Sequence, residues 1–211
     1  MLAKTSSASV REEKVACIRS VGVIGSRSLP YQVAEKVGQI TEDLIARGYR
    51  VASGGARGTD HFVIERLLKT DQAQHGTVYS AWQNYTGFPA TIRATIREFK
   101  EKGGSILWGP ITGKEPEFMV KQSLLFRNAR LVEACYGLVA FLTPDSRGSV
   151  FTLKRALEKR LIVVVFPAVA EALAGKPVVD TGILPEVDYV KWVPIKCGGC
   201  WENGFKAVYL R

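Results

Sequence analysis

Ser53-Gly54-Gly55-Ala56-Arg57-Gly58-Thr59-Asp60 is the stretch of sequence that decides the fold. It follows an apolar, strand-like run at residues 49–52 and precedes a helix-like run at residues 60–69. A glycine-rich turn between a strand and a helix lets backbone N–H groups approach a phosphate, and the helix N-terminus adds partial positive charge. Arg57 can add a bidentate, charged contact. The stretch therefore predicts an anion or nucleotide site in an α/β domain.

Short apolar runs alternate with helical periodicity on both sides of this stretch. The six predicted strands are residues 20–25, 49–52, 76–80, 105–108, 137–142 and 161–166. The five predicted helices are residues 33–45, 60–69, 90–102, 118–134 and 150–159. Such alternation is typical of a mostly parallel sheet with helices on both faces, so the predicted fold class is α/β.

The pattern predicts three parts of the chain. Residues 1–19 form an N-terminal leader of mixed charge, and residues 20–167 form the α/β domain. The regular pattern stops after Pro167, and residues 168–211 form a C-terminal extension. Two strand-like runs in this extension, residues 189–195 and 205–210, predict a small β-hairpin that either extends the sheet or packs beside it.

Two further small-residue loops follow predicted strands, as the opening stretch does. They are Gly25-Ser26-Arg27 and Ser146-Arg147-Gly148-Ser149. Because ligands of parallel sheets bind beyond the carboxyl ends of the strands, we expect all three loops to open into one crevice. None of the three has the glycine spacing of a dinucleotide fingerprint or the Gly-Lys-Ser/Thr ending of a P-loop.

The charge balance favours an anionic partner. The 211 residues include 29 Lys and Arg against 20 Asp and Glu, a formal charge of +9, and nucleic acid is the first candidate partner. Aromatic side chains that could stack on bases, or belong to the core under a loop, are Trp82, Tyr85 and Phe88. Basic side chains that could track a phosphate backbone, or form a solvated helix face, are Arg93, Arg97 and Lys100.

Together with Phe126-Arg127-Asn128-Ala129-Arg130, the three loops form an ordered set of motifs. This set resembles the DNA-processing protein A (DprA/Smf) family, within the SLOG superfamily of Rossmann-like proteins, over about residues 20–167. The resemblance implies a Rossmann-like sheet whose strand-end pocket holds a phosphate. It also implies a homodimer that binds single-stranded DNA in DNA processing and passes the strand to a recombinase.

The resemblance assigns a phosphate or nucleic-acid contact to the matching residues. They are Gly25, Ser26, Arg27, Ser53, Gly54, Gly55, Arg57, Gly58, Arg127, Asn128, Gly148, Ser149 and Thr152. Arginine side chains among them can clamp phosphates, and the serine hydroxyls can donate hydrogen bonds. Asp60 is expected to cap its helix or to orient Arg57 rather than to touch an anion.

Two other functions stay open at this stage. The same pocket could hold a free, nucleotide-derived ligand and act as a sensor. SLOG hydrolases that cleave ribose-5-phosphate from nucleotides use a Pro-Gly-Gly-x-Gly-Thr loop followed closely by glutamate. Here Lys154 stands near the position of that acid and Glu158 comes a turn later, so we predict no catalytic residue and no enzymatic activity.

The cysteines and termini carry weaker signals. Cys197-Gly198-Gly199-Cys200 has the spacing of half a zinc site or a redox pair, yet both histidines lie far upstream, so a plain turn is the alternative. Cys17 and Cys135 are expected in apolar surroundings. The sequence calls for no cofactor. It contains neither a membrane-spanning run nor a signal peptide, so a cytoplasmic location without membrane contact is expected.

Overall fold

One eight-stranded sheet runs through the described part of the chain, residues 19–29, 31–168 and 182–210 of a computed structural model. The strands are β1 (Ser20–Gly25), β2 (Arg50–Ser53), β3 (Gly76–Tyr79), β4 (Ser105–Leu107), β5 (Gly137–Leu142), β6 (Ile162–Pro167), β7 (Val190–Pro194) and β8 (Phe205–Tyr209). Their order is β4-β3-β2-β1-β5-β6-β8-β7. Strands β1 to β6 are parallel, and the β7–β8 hairpin adds two antiparallel strands beside β6.

Helices cover both faces of the sheet. They are α1 (Ala34–Ala46), α2 (Thr59–Lys69), α3 (Ala90–Glu101), α4 (Glu117–Ala134) and α5 (Arg147–Glu158). Apolar residues of α1, α2 and α3 belong to one buried cluster, and those of α4 and α5 belong to a second cluster on the other face. Each helix turns an apolar stripe toward the sheet, which is the pattern that helical periodicity predicts.

Strand β5 lies at the centre of the domain. Every residue of Gly137–Leu142 is buried, and β5 pairs with β1 on one side and β6 on the other. A strand covered on both faces has no side chain that needs to face water. This explains why β5 is apolar without interruption.

The strand order reverses between β1 and β5. The chain leaves β1 toward α1 on one face of the sheet, and it leaves β5 toward α5 on the other face. The loops after these two strands therefore diverge and leave a crevice between them. In open α/β sheets this reversal point is where ligands bind.

The predicted fold class is confirmed: the sheet is Rossmann-like and mostly parallel, with helices on both faces and a C-terminal hairpin. The hairpin extends the sheet, which settles the alternative that the sequence left open. Helix α5 begins at Arg147, three residues before its predicted start. Gly148 and Ser149 therefore lie in its first turn. Small residues are readily accommodated at a helix N-terminus.

Parts of the predicted leader and extension cannot be compared with the structure. Residues 1–18, including Cys17, and residues 169–181 lie outside the described residues. Within the described ranges, no helix combines the length and the apolar character needed to cross a bilayer.

Candidate functional site

A cleft of about 510 Å³ opens at the carboxyl ends of β1, β2 and β5. The loops after these strands form its floor and rim, and α4 forms one wall. Side chains that line it carry four positive charges, from Arg27, Lys121, Arg127 and Arg147, and two carboxylates, from Asp60 and Asp145. The cleft therefore presents an excess of positive charge at the reversal point of the sheet.

Hydrogen bonds between two loops shape the floor of the cleft. The backbone N–H of Ser26 donates to the carbonyl of Phe141 at 2.9 Å. The Ser26 hydroxyl accepts from Thr143 Oγ1 at 2.9 Å and from the Ser28 N–H at 3.1 Å. Ser26 thus ties the loop after β1 to the loop after β5. Sequence reasoning missed Thr143, although its position directly after a buried strand was a usable signal.

Arg127 lies at the bottom of the cleft, although it is only 6% exposed. Helix α4 directs its side chain toward the glycine-rich loop, where Nη1 lies 3.5 Å from the Tyr79 carbonyl oxygen and 3.9 Å from Asp60 Oδ2. Gly54 makes this approach possible. A Cβ atom at position 54 would collide with Nη1 of Arg127, so the loop needs glycine there.

Asp60 faces Arg127, not Arg57 as the sequence analysis suggested. Its Oδ2 accepts a hydrogen bond from the Ala56 N–H at 3.0 Å, and no side-chain cap closes α2 at its N-cap residue, Gly58. Burial raises the pKa of the Asp60 carboxyl, and the Arg127 charge opposes that rise. The carboxylate therefore braces the loop and the arginine together.

Gly58 fixes the distance between the first two loops. Its φ of 75° lies in the left-handed region, and a Cβ atom at this position would collide with the carbonyl oxygen of Ser26. The next residue, Thr59, donates its N–H to that same carbonyl at 3.2 Å. A side chain at position 58 would both strain the backbone and push the two loops apart.

The N-terminus of α5 forms the opposite rim of the cleft. The first hydrogen bond of the helix runs from the Val150 N–H to the Ser146 carbonyl at 2.9 Å. Gly148 and Ser149 lie in the first turn and line the cleft, where the helix dipole adds partial positive charge. Thr152 also lines it, with its hydroxyl donating to the Gly148 carbonyl at 2.9 Å.

Most of the predicted site residues lie around this cleft. Those that line it are Gly25, Ser26, Arg27, Gly54, Arg127, Asn128, Gly148, Ser149 and Thr152. Gly55 and Arg57 line an adjoining pocket of about 140 Å³. Ser53 and Gly58 line neither space, and Ser53 is a buried residue of β2.

One cleft residue without a counterpart in the predicted set is Lys121. Together with Leu124 and Asn128 it lines the cleft from α4. These positions follow the spacing of one helix face, so the periodicity of α4 and the position of Asn128 could have revealed Lys121. Its ammonium group is exposed and supplies a flexible positive charge at the rim.

The three aromatic candidates lie in different environments. Trp82 lines the adjoining pocket, Phe88 is buried in the core, and Tyr85 packs edge-on against Trp108 with ring centroids 5.0 Å apart. Of the basic helix face, Arg97 lies over the Tyr85 ring. Of the three aromatic residues, Trp82 is therefore the one that lines the pocket adjoining the cleft.

Arg93 is occupied by the loop before α3. One of its terminal nitrogens donates to the carbonyls of Thr86 and Phe88 at 3.0 and 3.1 Å. Lys100 is exposed on the same helix. The three basic residues of α3 thus do not act as one surface, because Arg93 braces the protein's own backbone.

The two cysteines of the C-terminal turn are free thiols. Cys197 is exposed and Cys200 is half-buried, close to Asp43 and Lys36. Burial raises the pKa of the Cys200 thiol. In the described ranges, no three His, Cys, Asp or Glu side chains are grouped so as to hold a metal ion. Cys135 is buried, as expected, and its pKa is raised to about 12 by burial.

Comparison with known proteins identifies relatives of this architecture. A sequence profile of the family described as DNA recombination-mediator protein A matches residues 12–177. No curated protein matches the chain significantly.

Two solved structures share the fold. DNA processing protein A (DprA) from Streptococcus pneumoniae superposes with a TM-score of 0.59 and 23% identity over 72% of this chain and 52% of that protein. The second structure is DNA processing protein A from Helicobacter pylori, determined in a study of its single-stranded DNA binding mode. It superposes with a TM-score of 0.55 and 24% identity over 72% of this chain and 66% of that protein. The chain thus spans about half the length of the Streptococcus pneumoniae protein.

Proposed function

This chain belongs to the DNA recombination-mediator protein A family, and from that membership we propose that its cleft binds the phosphate backbone of single-stranded DNA. The proposal makes the chain a strand-binding protein of DNA processing and recombination. The residues predicted to contact DNA are those of the four motifs that line the cleft or the adjoining pocket.

The observation that carries the proposal is the buried guanidinium of Arg127. Among the described residues, none offers a hydrogen-bond partner to its Nε, and its Nη1 contacts are long. Burial lowers the pKa of Arg127, but a guanidinium remains charged in proteins. A buried donor without an acceptor costs free energy, and a phosphate oxygen in the cleft would remove that cost.

The surrounding charges support a strand rather than an isolated phosphate. Arg27 is exposed and lines both the cleft and the adjoining pocket, and Arg57 is exposed at the edge of the pocket. Arg27 belongs to the loop after β1 and Arg57 to the loop after β2, and both line the adjoining pocket, so they could contact successive phosphates. The N-terminus of α5 offers a further phosphate contact on the opposite rim.

The arrangement favours binding over catalysis. Asp60 is held by Arg127 and the Ala56 N–H, so it is poorly placed to activate water. Lys154 and Glu158 are exposed residues of α5 outside the cleft lining. We therefore propose no chemical step for this site.

A small nucleotide-derived ligand is the second candidate. The cleft volume of about 510 Å³ falls within the range of about 300–1,000 Å³ for small-molecule sites. The two candidates differ in their response to salt. A strand that contacts several phosphates loses affinity steeply as salt rises, whereas a single pocketed nucleotide does not.

The wider assembly is also a proposal. In line with its family, we propose that the chain acts in the cytoplasm as a homodimer and passes bound DNA to a recombinase. Light scattering on the purified chain would test the dimer, and a monomer at micromolar concentration would contradict it.

The test of strand binding is a titration of labelled oligo-dT at two salt concentrations. We expect binding that weakens steeply with salt, and Arg27→Ala and Arg57→Ala variants whose log–log salt slopes are each shallower by about 0.7. Lys191→Ala, an exposed cation on the edge strand β7, is the matched control and should bind like the intact chain. No binding by the intact protein, or equal losses in all three variants, would contradict the proposal.

A further inference from the structure

We propose that the pocket beside Trp82 is a nucleobase subsite, in which the indole ring stacks on one base of a bound strand. This inference rests on the proposed strand binding, because it assigns the base next to a phosphate held in the cleft. It names the chemical group that the adjoining pocket recognises. Trp82 itself lies outside the four motifs.

The pocket is continuous with the phosphate cleft. Its volume is about 140 Å³, and Arg27, Gly54 and Arg127 line both spaces. A pocket of this size is well below that of a drug-sized site and suits a single ring system. A nucleotide whose phosphate contacts Arg27 can therefore place its base beside Trp82 without leaving the protein surface.

Trp82 is held in one position before any ligand binds. Its backbone N–H donates to the Ser80 hydroxyl at 3.0 Å, and its carbonyl accepts from the Gly109 N–H at 2.9 Å. The indole ring packs directly on Gly87, so closely that a Cβ atom there would overlap the ring. A fixed ring loses little conformational freedom on stacking, which favours binding.

The loop that carries Gly87 is itself anchored. Arg93 donates to the carbonyls of Thr86 and Phe88, and the Phe88 ring is buried in the core. The positions of Arg93 and Phe88 thus support the wall of the pocket instead of contacting DNA. This gives a physical role to two residues that strand binding alone leaves unexplained.

The lining predicts stacking without sequence preference. Trp82, Pro89 and Leu124 give apolar surface, and the side chain of Arg57 adds a cation at the edge. Every base has a π-face, so an indole ring can stack on any of them. We expect the pocket to accept thymine as readily as the other bases and to reject a sugar that carries no base.

The test compares oligo-dT with an abasic strand of equal length and equal phosphate number. The intact chain should bind oligo-dT about 5- to 150-fold more tightly than the abasic strand. Trp82→Leu should lose most of that preference and leave abasic binding unchanged, whereas Trp82→Phe should keep part of it. Trp192→Leu, on the far edge strand β7, is the matched control and should keep all of it.

The outcomes separate the subsite from strand binding itself. Equal affinity of the intact chain for the two strands, with steep salt dependence, would overturn the subsite and leave strand binding in place. No binding of either strand would overturn both. Equal losses of affinity for both strands in Trp82→Leu, with an unchanged thermal midpoint, would also overturn the subsite. The comparison of the two strands on the intact chain does not depend on the folding of any variant.

Discussion

Replacement of Arg127 by Met should leave the Asp60 carboxylate buried without its partner. Asp60 and Arg127 are each only 6% exposed, and Nη1 lies 3.9 Å from Oδ2. With an effective dielectric constant of about 20, the lost attraction is about 4 kcal/mol. That figure agrees with the 3–5 kcal/mol that is typical when one partner of a buried ion pair is removed.

The loss of stability in Arg127→Met should depend on pH, and the direction of that dependence follows from the pKa of Asp60. Burial already raises this pKa in the intact chain, and without the opposing Arg127 charge it should rise further. A carboxyl group with a higher pKa in the folded state favours folding while it is protonated. The stability that protonation provides is lost as pH rises through the folded-state pKa. The deficit of Arg127→Met should therefore be larger at pH 8 than at pH 5.

Urea unfolding of the intact chain and the variant at both pH values measures this deficit. A deficit of about 4 kcal/mol at pH 8 that shrinks at pH 5 is the expected result. The double variant Arg127→Met/Asp60→Asn is the control, since asparagine carries no charge and should recover most of the loss at pH 8. A deficit that is the same at both pH values, or that Asp60→Asn does not relieve, would refute this account of the pair.

Two further predictions concern the loop geometry and the thiols. Gly58→Ala should lower the free energy of unfolding by at least about 2 kcal/mol, because its φ of 75° and its contact with the loop after β1 exclude a side chain. Gly148→Ala is the control: it meets open space in the first turn of α5 and should be neutral or stabilise by up to about 1 kcal/mol. Equal losses in urea unfolding would contradict this reasoning. In a Cys17→Ser background, a thiol reagent should modify Cys197 quickly and Cys135 only on unfolding, because Cys135 is buried with a pKa of about 12. Fast modification of Cys135 in the native chain would show that its environment is open.

The positions of the strands and helices followed from local pattern. Strand β5 could be recognised because a strand buried on both faces is apolar at every position, which the sequence of Gly137–Leu142 displays directly. The start of α5 was placed three residues late, because Ser146-Arg147-Gly148-Ser149 reads as a loop by composition. Small residues occur both in loops and in the first turn of a helix, so composition alone cannot separate the two.

The candidate site, too, was predictable from the sequence only in part. The motifs pointed to the loop residues because glycine and serine after a strand have a local physical reason to be there. Ser53 shows the limit of that reasoning: it belongs to the same motif, yet the last residue of β2 is buried in the sheet. Side-chain direction depends on where the strand ends, and an error of one residue turns a side chain to the other face.

The amino-acid sequence by itself determined the α/β class, the alternation of strands and helices, the basic charge and the small-residue loops. These depend on periodicity and on backbone requirements within a few residues. Only the tertiary structure decided that Asp60 pairs with Arg127, that Thr143 joins two loops, that Arg93 supports a loop and that Trp82 lines the pocket adjoining the cleft. Each of these contacts either joins residues that are distant in sequence or depends on the path of a loop. Such contacts form only when the order of the strands in the sheet brings the strand ends together.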